Sequence, residues 1–137
     1  MAERLLRRRF RQHGLDGMTV RSAGFIDREG RHSPETAVAV AEEYGVDLSN
    51  HRSTCVSSEL TTESDLILLM DVYNYTLLRR NFSASTEKAC FLGSFSSDTG
   101  SEISDPYDGS IAEFQRVYGE IATAVDQFVD ELADDRN

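Results

Sequence analysis

Apolar positions recur along this chain with two different spacings, and the switches between them predict alternating helices and strands. Leu5, Leu6 and Phe10 share one helical face, in a first helix ending at Gly14, a residue that tolerates the left-handed conformation of a helix stop. Met18 to Ser22 is a short strand candidate. Ser33-Pro34-Glu35 opens a second helix, with a cap, a proline whose missing N–H costs nothing in a first turn, and an early acid; Gly45 closes it. Leu66 to Met70 is apolar at every position, as expected of a strand buried on both faces of a parallel sheet, and Asp71 marks where it emerges. Residues 71–80 then read as helix and Ala89 to Leu92 as a second buried strand. The last helix carries the clearest pattern: Ser110 and Glu113 form a capping box ahead of a stripe running from Ile111 through Phe114, Val117, Ile121, Val125 and Phe128 to Leu132.

This order predicts an α/β fold, a small doubly wound parallel sheet flanked by helices, with its site outside the carboxyl ends of the strands. Chemistry is therefore expected at Ser22-Ala23-Gly24, at Asp71 and between Gly93 and Gly109. The 137 residues suffice for one domain, read as 1–137, without repeats or a low-complexity linker.

Charge changes the picture of partners. The net charge is −10, yet residues 98–137 hold eleven Asp and Glu against Arg116 and Arg136, while Arg4, Arg7, Arg8, Arg9 and Arg11 crowd the start. An acidic whole argues against nucleic acid as the main partner. The arginines could meet phosphates or an acidic protein surface, or simply form a solvated helix face. Apolar runs as short as Leu66 to Met70 fall far short of the ~20 residues of a membrane span, so no membrane insertion is expected. Two cysteines, Cys55 and Cys90, are too few for a disulfide framework or a zinc site, which fits a reducing, cytoplasmic setting.

Several stretches also follow one another in a telling order: Met1-Ala2-Glu3, Ser22-Ala23-Gly24, Gly45-Val46-Asp47-Leu48-Ser49 with His51, Asp65-Leu66-Ile67-Leu68 with Met70-Asp71 and Asn74, Leu92-Gly93, and Asp105-Pro106-Tyr107. As an ordered set they resemble the low-molecular-weight protein-tyrosine phosphatases across nearly the whole chain. That family runs from a first strand into a phosphate loop, Cys, five residues, Arg, then Ser-Pro, and on into a helix that often begins Ala-Glu. Here the residues begin at that helix, so the resemblance implies a fold whose first central strand is missing, together with its nucleophilic cysteine and phosphate-binding arginine. The resulting expectation is an N-terminally truncated domain, less stable by ~8 kcal/mol for about four lost aliphatic side chains, and inactive as it stands.

Phosphate-ester hydrolysis through a covalent intermediate needs a thiolate at a helix N-terminus, an arginine on the equatorial oxygens and an acid for the leaving phenolate. Six positions after Cys55 stands Thr61, and six after Cys90 stands Ser96, so neither cysteine opens a loop closed by arginine. Cys90, inside an apolar strand, reads as an inert core residue.

By the resemblance Asp105 is the catalytic general acid, its backbone stiffened by Pro106; alone it would read as an ordinary Asp-Pro turn. Tyr107 matches the aromatic wall that binds the phosphotyrosine ring, although a half-buried structural tyrosine would look the same. Ser22 and His51 match positions that support the phosphate loop. The resemblance implies no cofactor and no metal, and as partners a phosphotyrosine protein substrate and, through its bacterial branch, a tyrosine kinase of surface-polysaccharide export. Three alternatives stay open: a non-catalytic interaction protein of this fold, an arsenate reductase-like protein, and a receiver domain with Asp71 as phosphoacceptor.

Overall fold

The computed structural model describes residues 1–98, 100–106 and 109–137. Helix α1 (Ala2–Gln12) buries Leu5, Leu6 and Phe10, leaves Arg7 and Arg11 exposed and half-buries Arg4, Arg8 and Arg9; Gly14 follows with φ of 69°. Helix α2 spans Glu35–Glu42. Its N-cap position falls on Pro34 with no side-chain cap, so the cap expected at Ser33 lies one residue too early. Gly45, also at positive φ, ends the turn after it.

A polar stretch without a periodic pattern forms the short helix α3 (Ser58–Glu63). It is fixed by its ends rather than by a face. Ser57 Oγ accepts from the Leu60 N–H at 3.1 Å, and the Lys88 ammonium donates to Thr61 O, Thr62 O and Ser64 O at 2.6, 3.2 and 2.7 Å. All three lysine protons thus meet carbonyls that a helix C-terminus leaves unpaired.

Strand β1 (Ile67–Leu69) pairs in parallel with β2 (Ala89–Phe91), Leu68 opposite Cys90. Between them lie α4 (Val72–Asn81) and a 3-10 segment, Ser83–Lys88. The α/β class with a parallel sheet is as the pattern predicts, but among the described residues the sheet is two strands wide. Met18 to Ser22 forms no ladder: it is extended chain, with Val20 O accepting from Arg7 instead (2.8 Å from NH2). A strand is a pairing as much as a sequence, and among the described residues Met18 to Ser22 pairs with no neighbouring strand. For the same reason the Leu66 to Met70 run is not buried on both faces. Leu66 is 45% exposed, Ile67, Leu68 and Met70 are half-buried, and Leu69 alone is buried, while Leu68 and Met70 pack against the core cluster.

Helix α5 (Ile111–Asp134) organises the rest. It packs on α1, α2 and the 3-10 turn Leu92–Phe95. Its stripe buries Phe114, Val117, Tyr118, Ile121, Val125, Phe128 and Val129, with Phe95 edge-on to Phe128 at 4.8 Å. Ser110 caps it by accepting from the Glu113 N–H, as predicted.

Candidate functional site

Two of the sequence-predicted residues meet at one cavity. Ser22, at the end of the unpaired segment, donates to the Glu3 carboxylate on the first turn of α1. His51 sits in the loop after Leu48, its N–H bonded to Leu48 O at 3.1 Å. Both line a cavity of about 300 Å³ between the start of α1, residues 21–22 and the 50–54 loop. Burial holds the His51 imidazole below its ordinary pKa, the chain-terminal ammonium adds to that, and Arg4 and Arg52 act in the same sense against Glu3.

Asp105 is not among the cavity's lining residues. Its loop is pinned from behind. Ile103 is 1% exposed and its N–H bonds Met70 O at 2.8 Å, at the carboxyl end of β1. Arg116, on the second turn of α5, donates to Ser104 Oγ at 3.0 Å while its guanidinium is held by Glu113 and Glu120. Asp105 itself is exposed. The Tyr118 phenol is pushed up to about 12, first by burial and then by the negative charge of Asp105. Arg116 has no signal in the motif pattern. Its (i, i−3) and (i, i+4) spacing from Glu113 and Glu120 could have marked it as ordered. Tyr107 lies outside the described residues.

Asp71 is occupied as the N-cap of α4, its Oδ1 accepting from the Asn74 N–H at 2.7 Å. Neither cysteine lines the cavity. Cys90 is half-buried in β2, where desolvation raises its thiol pKa, the direction of an unreactive thiol. Cys55 Sγ points at Ile26 O (3.4 Å) and the Asp27 carboxylate (3.9 Å). Among the described residues no three His, Cys, Asp or Glu side chains converge to hold a metal ion, and no helix is long and apolar enough to cross a membrane.

Known proteins resemble this chain in sequence and fold. The sequence pattern of the low molecular weight phosphotyrosine protein phosphatases matches residues 1–137. The low molecular weight protein-tyrosine-phosphatase Etp of Escherichia coli K12 is 30% identical over 133 residues, covering 97% of this chain and 85% of Etp. A protein-arginine-phosphatase of Bacillus subtilis is 28% identical over 137 residues, covering 99% and 89%. The crystal structure of the tyrosine phosphatase Wzb from Escherichia coli K30, in complex with sulphate, superposes with a TM-score of 0.84 at 30% identity, covering 96% of this chain and 87% of Wzb. The chain belongs to the low molecular weight phosphotyrosine protein phosphatases, a family of enzymes.

Proposed function

We propose that residues 1–137 carry the leaving-group acid and the loop-support half of a phosphotyrosine phosphatase, and that by themselves they do not turn over phosphomonoesters. Asp105 is the general acid: an exposed carboxylate, stiffened by Pro106, on a loop anchored at Ile103 and Ser104. That anchored acid, in a chain of this family, is the observation that carries the reading. Ser22 and His51 support the substrate phosphate site from the cavity wall, and Tyr107 flanks the phosphotyrosine ring. The missing function is nucleophilic. An aryl phosphate needs an attacking thiolate, and neither Cys55 nor Cys90 lines the cavity or opens a loop closed by an arginine. The substrate is a phosphotyrosine protein of the cytoplasm, such as a bacterial tyrosine kinase.

The test is a pair of proteins: the 137-residue chain, and a chimera in which the first strand and Cys-x5-Arg-Ser-Pro loop of a relative precede Ala2. The chimera is expected to hydrolyse aryl phosphate, and the chain alone is not. In the chimera Asp105→Ala should slow turnover ~10²–10⁴-fold, the usual worth of a positioned acid; unchanged turnover would remove Asp105 from the mechanism. Because relatives include both tyrosine and arginine phosphatases, the chimera is assayed on both phosphopeptides. A preference for phosphoarginine would replace the substrate assignment while leaving the acid in place.

A further inference from the structure

Three consecutive residues tie the chain ahead of Asp105 to three different elements. Glu102 Oε1 accepts from the Val72 N–H at 2.7 Å, in the first turn of α4. The Ile103 N–H donates to Met70 O at 2.8 Å, just past β1. Ser104 Oγ accepts from Arg116 Nη2 at 3.0 Å, on α5. Further upstream the loop lies tight against Gly93, where an added Cβ would stand 2.6 Å from both Gly100 O and Ser101 O. Pro106 restricts the backbone of Asp105 from the other side.

Two of these ties are made by charged side chains of exposed residues, Glu102 and Arg116. Exposed charged contacts add little to the stability of a fold. Both are nevertheless closely set. Glu102 meets an N–H that the start of a helix leaves unpaired, and its charge suits that end of the helix dipole. Arg116 gives Nε and Nη2 to Glu113 and Nη1 to Glu120, so its planar group is already oriented where it meets Ser104. A reacting group is far more sensitive to its place than the fold is: a misplacement of about 1 Å can cost ~10²-fold in rate. Ties too weak to matter for stability therefore suffice to matter for an acid.

We propose that Glu102 and Arg116 are positioning residues for the leaving-group acid, clamping residues 102–104 between α4 and α5 so that the Asp105 carboxylate is presented at a fixed place. The proposal rests on Asp105 being the general acid, and it assigns to that acid two residues that touch neither substrate nor nucleophile.

In the chimera that carries a relative's phosphate loop, turnover is compared on phenyl phosphate, whose leaving phenolate needs a proton, and on dinitrophenyl phosphate, whose weakly basic leaving group does not. Glu102→Ala and Arg116→Gln are each expected to lower kcat on the phenyl ester about tenfold, part of the ~10²–10⁴-fold worth of the acid, with KM and the dinitrophenyl ester little changed. Glu102→Gln, whose amide oxygen still accepts from the Val72 N–H, should recover most of the loss seen with Glu102→Ala. In an Asp105→Ala background neither Glu102→Ala nor Arg116→Gln should slow the enzyme further. No loss on the phenyl ester, equal losses on both esters, or a full loss that persists without Asp105 overturns the clamp. Asp105→Ala slowing the two esters alike removes the acid itself, and the clamp with it. The 137-residue chain gives a second readout that needs no turnover: both substitutions should lower the amide order parameters of Ser104 and Asp105 while the melting temperature stays nearly unchanged. Order parameters that do not move overturn the clamp as well.

Discussion

The helical layer and the sheet of this protein both draw on apolar residues and end in different states. On the helical side α5 closes over α1, α2 and the Leu92–Phe95 turn until Val117, Val125 and Val129 are fully enclosed. On the sheet side Met18, Val20 and Leu68 are only partly buried, Leu66 is 45% exposed, and Val20 O finds a guanidinium in place of a ladder. The difference teaches that an amphipathic helix needs only a surface to lie on, whereas a strand needs a partner for each edge. Apolar character alone therefore builds the first and not the second.

The largest test of that contrast is a matched pair of truncations. Phe128→Ala, which opens a hole beside Phe95, should cost ~3–5 kcal/mol. Leu68→Ala, at a site already half open, should cost about 1 kcal/mol, well below the usual range for a closed core. Denaturant midpoints at constant slope read both. Equal losses would mean that the sheet side is packed as tightly as the helical side. A middle-sized effect is expected at Lys88→Met, which keeps the aliphatic stem but leaves Thr61 O, Thr62 O and Ser64 O without their donor. That should cost ~1–3 kcal/mol, with faster amide exchange confined to residues 58–64. Uniform acceleration across the chain would show a general loss of stability in place of a local clamp.

The same contrast explains what could be read from the sequence. The α5 stripe, its Ser110 cap, the Asp71 start of α4 and the parallel β1–β2 pair carry their information within a few residues or one crossover, and they are where the pattern puts them. Met18 to Ser22 was expected as a strand because its residues suit one; nothing in those residues encodes whether a neighbour lies alongside. Helix α3 gave no periodic signal, since a remote lysine and a serine cap hold it. In the candidate site, Ser22 and His51 are legible by family resemblance, and both line one cavity. Arg4 and Arg116 were seen only as charges on helices. The burial that singles out one and the Ser104 contact that singles out the other arise from segments far apart in sequence.

The smallest effect expected is a pH dependence at the cavity itself. The His51 imidazole is held below its ordinary pKa chiefly by burial, so the folded state binds its proton less readily than the unfolded chain does. Its contribution to stability is present at pH above the ordinary histidine value, near 6.5 in the unfolded state. It is lost as pH falls through the lower folded value. His51→Gln should therefore flatten the mildly acidic part of the stability profile. An imidazole titration by NMR supplies the independent check. A folded His51 that titrates at or above the ordinary value would show that the Glu3 carboxylate outweighs burial and the surrounding cations, and that the cavity is less positive than its arginines imply.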